Sequence, residues 1–108
     1  MAPGHIWWAF PEKVPVVLLS VHKDHISAIQ VVSPADPESA ELFIEVPVGK
    51  REGLSFDGVV RAALPQRDLI LCNWLLELSP ADLLEHKGSL SRAKLLRVKS
   101  MLARCNLP

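Results

Sequence analysis

The stretch Val14-Pro15-Val16-Val17-Leu18-Leu19-Ser20-Val21 decides the fold that the sequence predicts. It is rich in β-branched residues and almost entirely apolar, and it is too short to cross a membrane as a helix. A run of this length and composition is typical of a strand that is buried on both faces. We therefore expect a sheet in which residues 14–21 form a central strand with cover on both sides.

Shorter strand-like segments surround this run. They are apolar or alternating, and turn-forming residues separate them. The connection Pro11-Glu12-Lys13 is very short, whereas the polar loop over residues 47–57 is long and contains two glycines. The pattern predicts five to six antiparallel strands, of which the further ones span residues 5–10, 25–32, 41–46, 58–64 and 69–76.

The pattern changes to a helical one near the C-terminus. Ser79 is a good N-cap and Pro80 suits a first helical position, so we expect a short helix that Gly88 ends. Ser91 begins a longer amphipathic helix, with its basic residues away from the apolar stripe. The prediction is a mainly β, α+β fold in which this stripe packs on the sheet: Leu95, Val98, Met101, Leu102 and Cys105.

Length and composition indicate one domain over residues 1–108. The net charge is zero, but residues 79–108 carry six basic and two acidic side chains, which leaves the strand region at −4. An acidic strand region is a weak electrostatic footprint for nucleic acid. Cys72 and Cys105 read as buried, reduced thiols. No long apolar run and no secretory leader pattern is present, so we expect a cytoplasmic protein without membrane contact.

Few residue patterns point to chemistry. His22 and His25 have an H-x-x-H spacing, but Lys23 lies between them and no second pair of ligands is near, so we expect a polar turn or one catalytic histidine rather than a metal site. Phosphate-binding and dinucleotide-binding glycine motifs are absent, and no cofactor is expected. Of Trp7 and Trp8, one ring should enter the core, while the other faces a groove, where it stacks on bases or packs against a partner.

A series of weak motifs runs through nearly the whole chain in one order, and together they resemble the MazF/PemK family of toxin ribonucleases. The first segment resembles the family's P-G-D-I-x-W start, with His5 in place of the acidic residue. The matching segments are Pro3-Gly4-His5-Ile6-Trp7-Trp8, Val14 to Ser20, Val31-Val32-Ser33-Pro34, Glu45-Val46-Pro47, Gly53-Leu54-Ser55, Gly58-Val59-Val60-Arg61 and Gly88-Ser89-Leu90-Ser91.

The resemblance implies a small SH3-like β-barrel with a short helix and a C-terminal amphipathic helix. It also implies a homodimer that cleaves single-stranded RNA without a metal and is inhibited by a cognate antitoxin protein. The alternative is a catalytically degenerate member of the same fold that binds a protein or peptide, because a fold does not determine a function.

The resemblance also indicates site residues, with departures from the family pattern. Val14 stands where the family has an arginine before the proline of its second strand, so Lys13 is the nearest cation, with Arg61 as the other candidate. Asp36 falls at or near the family's threonine, and Ser33 is the nearest hydroxyl. We expect catalysis from Lys13, Ser33, Asp36 and Arg61, and substrate contacts from Trp8, Gln66 and Arg67.

Overall fold

The computed structural model describes residues 1–38, 40–64 and 74–105, and within them it confirms a mainly β fold with one C-terminal helix. Short 3-10 turns over residues 40–42, 50–52 and 80–82 join some of the elements. The strands and the helix are β1 His5–Ala9, β2 Val14–His22, β3 His25–Gln30, β4 Phe43–Val48, β5 Gly58–Ala63, β6 Leu75–Leu78, β7 Leu83–Ser89 and α1 Arg92–Arg104.

The strands form two antiparallel sheets. The larger sheet has five strands in the order β6-β3-β2-β1-β7, and among the described residues β4 pairs with β5 in a second, two-stranded sheet. The β4–β5 hairpin is therefore an insertion between β3 and β6. An isolated bridge, Val32 to Val59, links the end of β3 to the hairpin, with N–H to O distances of 2.8 Å in both directions.

The five-stranded sheet is strongly curled, because its two edge strands are consecutive in the chain. β6 ends at Leu78 and β7 begins at Leu83, so a short 3-10 turn joins the two edges. In a flat sheet of five strands the edges would lie about 19 Å apart, which so tight a turn cannot span. No pairing between β6 and β7 is recorded within the described residues, so the sheet is curled but open.

The central strand is buried on both faces, as its composition predicts. Val16 and Leu18 pack in one cluster with residues of β3, and partly buried leucines of β6 and β7 close over them. Val17 belongs to a second cluster that includes residues of β4, β5 and α1. Val16, Val17 and Leu18 are all fully buried. The curled sheet supplies the cover on one side, and the inserted hairpin with the helix supplies it on the other.

The short helix expected from Ser79 to Gly88 is wrong, since a 3-10 turn and β7 occupy that stretch. The N-terminal signal itself is real: the Ser79 N–H donates to Asp82 Oδ2 at 2.9 Å, and Pro80 begins the turn. The helix does not continue, because the residues that follow form β7. This strand pairs with β1, whose other neighbour is β2. Gly88 does not end a helix but allows close approach, as a Cβ there would lie 1.8 Å from the Glu52 carbonyl oxygen.

Other boundaries shift by a few residues. β4 begins at Phe43 and extends to Val48, so the strand takes two residues of the expected polar loop. β6 is described from Leu75, and residues 69–73 of the predicted sixth strand lie outside the described residues. Seven strands are described rather than five to six. No helix among the described residues has the length and apolar character needed to span a membrane.

The C-terminal helix is confirmed with its predicted cap and stripe. Ser91 is its N-cap, and the Ser91 Oγ accepts the Lys94 N–H at 3.1 Å. The Lys94 ammonium lies 3.1 Å from Glu52 Oε2, and both side chains are largely buried, so this pair fastens the helix to the loop after β4. Of the five stripe residues, Leu95 is half-buried, and the other four are buried: Val98, Met101, Leu102 and Cys105.

We predict that Leu102→Asp destabilises the protein by about 3 kcal/mol or more, because it places an unpaired charge in the core. Leu102 is 4% exposed, whereas Leu96 on the same helix is 58% exposed. Leu96→Asp is therefore the matched control and should change the free energy of unfolding little. Equal melting temperatures for the two variants would show that the stripe does not pack on the sheets.

Candidate functional site

Two of the predicted site residues meet at one end of the five-stranded sheet. The Val31 N–H donates to the Pro15 carbonyl at 2.9 Å, and the Val32 bridge follows directly. The chain leaving β3 therefore runs past the start of β2 and onto the inserted hairpin. This path brings Ser33 next to Arg61 on β5, and the β1–β2 turn that carries Lys13 lies at the same end of the sheet.

Arg61 is held on several sides by its neighbours. Its Nη2 donates a hydrogen bond to the Ser33 main-chain carbonyl. Its guanidinium carbon lies 5.3 Å from the ring centre of Phe43 and 5.0 Å from that of Trp74, within the range of cation–π attraction. The side chain is only 12% exposed. A guanidinium held in this way is a clamp between β5 and the segment after β3.

Glu45 completes the environment of Arg61. It lies directly across the hairpin from Arg61, and its Oε2 is 3.4 Å from the arginine Nε. The contact is an ion pair without hydrogen-bond geometry, since the buried Nε has no hydrogen-bond partner. The same Oε2 accepts the Ala35 N–H at 3.0 Å. Glu45 therefore holds both Arg61 and the segment that leads to Asp36.

The sequence prediction missed Glu45, Phe43 and Trp74 as parts of this site. A signal for Glu45 was present, because an acidic and a basic residue stand on two segments expected to be strands. The exact register of a hairpin with a long loop, which makes Glu45 and Arg61 opposite partners, cannot be read from the sequence. Trp74 comes from a distant segment of the chain. The Gln30 N–H donates to the Trp74 carbonyl at 2.9 Å, and this contact depends on tertiary structure.

Lys13 differs from Arg61 in being exposed. It has a φ of 55°, a left-handed conformation that is uncommon for a residue other than glycine. No ion pair or hydrogen bond of its ammonium with another described residue is present. Strained backbone positions of this kind concentrate at functional sites. Of the two predicted cations, Lys13 is the one available to a ligand.

The paired tryptophans point to opposite faces of β1, as expected. Trp7 packs on the cluster around Val16 and Leu18, while Trp8 follows the alternation to the other face and is half-buried. Trp8 pairs with Pro15 of β2 and Glu85 of β7. It belongs to neither core cluster among the described residues, so its ring is the one that can meet a groove or a partner.

A stack of rings lies across β1 and β7. The His86 ring centre lies 4.8 Å from that of His5 and 5.2 Å from that of Trp7, with nearly parallel planes. The His5 Nδ1 and the Trp7 Nε1 are buried without hydrogen-bond partners. Burial, aided by repulsion from His86 and the N-terminal ammonium, lowers the pKa of His5. The stack is therefore most favourable when His5 is neutral.

His22 and His25 face each other at the end of the β2–β3 hairpin, and they form the polar turn that the sequence predicts. His25 Nε2 lies 2.5 Å from Glu77 Oε2 on β6, and both side chains are largely exposed. Among residues 1–38, 40–64 and 74–105, no group of three or more potential metal ligands comes together.

The remaining predicted residues have different outcomes. Asp36 follows the Ala35 contact and makes an interaction of its own in the structure. Gln66, Arg67 and Cys72 lie outside the described residues. Cys105 is a buried free thiol, and burial raises its pKa against the opposing effect of Arg104.

No family model matches this chain, and no curated protein is significantly similar to it.

We predict that Arg61→Ala lowers the free energy of unfolding by about 1–3 kcal/mol, because it removes a charge-assisted hydrogen bond and two ring contacts and leaves Glu45 half-buried without its partner. Arg97→Ala, at an exposed position of α1, is the matched control and should be nearly neutral. Thermal unfolding measures both. If Arg61→Ala melts at the wild-type temperature, Arg61 is not a clamp.

We also predict that stability falls on acidification through His5. The unfolded His5 titrates near pH 6.5 and the folded one below it, so the unfolded chain binds more protons in between. The free energy of unfolding therefore decreases as the pH drops from about 7.5 towards the folded pKa. His5→Gln should flatten this dependence, measured as melting temperature against pH.

His22→Gln, which removes an exposed histidine that takes no part in the ring stack, should keep the wild-type slope. A wild-type slope in His5→Gln would mean that His5 is not the group responsible.

Proposed function

We propose that the chain is a toxin of the MazF/PemK kind: a metal-independent endoribonuclease that cleaves single-stranded RNA in the cytoplasm, acts as a homodimer and is inhibited by a cognate antitoxin. The proposal extends the resemblance stated above. The coarse architecture supports it, because a curled, open five-stranded sheet with one C-terminal helix has the mainly β, α+β character of the fold that the resemblance implies.

The observation that carries the proposal is the meeting of separate segments at one end of the sheet. The β1–β2 turn with Lys13, the segment from Ser33 to Asp36 and the β5 residue Arg61 all lie there. These segments are distant in sequence, and each carries a residue that the family resemblance indicates for the site. Their convergence is what a site assembled for one substrate requires.

The proposed reaction is an attack of the ribose 2′-OH on the adjacent phosphorus. The 2′-oxygen–phosphorus bond forms, the bond from phosphorus to the 5′-oxygen breaks, and a 2′,3′-cyclic phosphate results. A base takes the 2′-OH proton, an acid protonates the leaving 5′-oxygen, and a cation stabilises the charge that grows on the phosphate. We assign the positive charge to Lys13 and the base to Asp36.

In this scheme Arg61 is a positioning residue rather than the phosphate cation. Its guanidinium already binds the Ser33 carbonyl and faces Glu45, so it fixes the segment that carries Ser33 and Asp36. Trp8, which is half-buried and belongs to neither core cluster among the described residues, supplies a ring for base stacking. Gln66 and Arg67 remain expected substrate contacts.

A second function is favoured by one specific observation. Arg61 is engaged by Glu45 and Ser33, and Val14 stands where the family has its arginine, so Lys13 is left as the single proposed cation. A lysine is a point charge that lacks the bidentate fork of arginine. The alternative is therefore a barrel of the same kind that has lost its chemistry and binds an antitoxin-like peptide.

We predict that the purified protein cleaves long single-stranded RNA in the presence of EDTA, and that Lys13→Ala lowers the cleavage rate about a hundred- to a thousandfold, as the loss of an electrostatic group aimed at the transition state does. Total cellular RNA is the substrate of choice, since it contains any short recognition sequence. Sequencing of the new 5′-ends measures the cleavage. Induced expression of the wild type should stop growth, whereas expression of Lys13→Ala should not.

Lys23→Ala is the matched control, because Lys23 is an exposed lysine in the turn at the opposite end of β2. It should cleave at the wild-type rate, and both variants should keep the wild-type melting temperature. Intact RNA after incubation with wild-type protein, together with harmless expression, would contradict the ribonuclease and favour the binding module.

A further inference from the structure

A cavity of about 420 Å³ lies away from the site proposed for RNA, between α1 and one half of the five-stranded sheet. None of Lys13, Ser33, Asp36 or Arg61 lines it. Its size falls within the range of small-molecule sites in proteins. Its walls are mainly apolar: Leu19, Ala28, Leu75, Leu76, Leu102 and Ala103.

The cavity follows from how the helix and the central strand are placed. Residues of α1 pack with those of β4 and β5 in one core cluster, so the helix leans towards the inserted hairpin and leaves space on the β6 side. The pairing of β2 with β3 shifts register between Leu18 and Ser20. A bulge of this kind redirects side chains, and both Leu19 and Ser20 line the cavity.

Two side chains of opposite charge line the cavity, Glu77 and Lys99, and they form no ion pair with each other. The Glu77 carboxylate is already engaged, since it accepts the Ser27 hydroxyl at 3.4 Å and lies against His25. Lys99 of α1 has no ion pair with any other described residue, and within the same part of the chain the Ser20 hydroxyl has no hydrogen-bond partner. An ammonium and a hydroxyl donor are therefore available beside an apolar space.

We propose that this cavity binds a small carboxylate with an apolar body, such as a short acyl chain. The apolar body lies against Leu19, Leu75 and Leu102, and the carboxylate accepts from the Lys99 ammonium and the Ser20 hydroxyl. The site is independent of the proposed ribonuclease activity. The expected ligand has a carboxylate at one end and an apolar chain of about eight carbons in the cavity. An uncharged alcohol of the same length would fill the cavity but would lack the charge that pairs with Lys99.

The test is calorimetric titration of the whole chain with octanoate and with 1-octanol. We expect octanoate to bind at least threefold more tightly than octanol, with an affinity that falls as salt is added. Lys99→Gln should weaken octanoate binding about three- to tenfold and leave octanol binding unchanged. Ala103→Trp should abolish binding of both ligands by filling the space.

Arg97→Gln is the matched control, because Arg97 lies on the same helix and does not line the cavity. It should bind octanoate as the wild type does, and thermal melts check that every variant is folded. Absence of octanoate binding at millimolar concentration overturns the proposal, as does wild-type affinity in Lys99→Gln. Light scattering that shows a dimer which Ala103→Trp dissociates overturns it too, because the cavity would then be an interface between two copies.

Discussion

Burial of both faces of β2 is the constraint on which the rest of this structure depends. Val16 and Leu18 on one face and Val17 on the other are fully removed from solvent, so the strand needs apolar cover on both sides. A single flat sheet with one helix would cover one face only. The sheet curls over one face of β2, with its two edge strands joined by one short turn. The inserted hairpin and α1 pack on the opposite face.

The same solution creates the end of the sheet where we place function. Covering the second face requires the chain to leave β3, form the inserted hairpin and return as β6. The crossing point is fixed by the Val32–Val59 bridge and by Arg61, whose guanidinium reaches back to the Ser33 carbonyl. A residue that fastens a crossing cannot move freely towards a phosphate. The packing of the core thus explains why Arg61 is fixed in place while Lys13 is exposed to solvent.

The sequence predicts the parts of the fold that depend on local composition. The apolar run of β2 and the Ser91 cap with its stripe both act through neighbours in the chain, and both were confirmed. The prediction for the stretch after Ser79 was wrong. The helix-start signal is present in the structure, but the residues that follow it pair with β1, and this pairing depends on the folded sheet. The clamp around Arg61 was equally hidden, since it depends on hairpin register and on Trp74 from a remote segment.

In the function that we propose, a single-stranded RNA binds at the end of the sheet formed by the β1–β2 turn and the segment after β3. The most direct test is a chemical-shift titration of isotope-labelled protein with a mixed-sequence 2′-O-methyl RNA, which lacks the attacking hydroxyl and is not cleaved. We expect the backbone amides within residues 10–13 and 32–36, other than Pro11 and Pro34, to shift, while those of residues 22–25 at the opposite end do not. Shifts confined to residues 22–25 or to the exposed face of α1, with the proposed end unaffected, would contradict it.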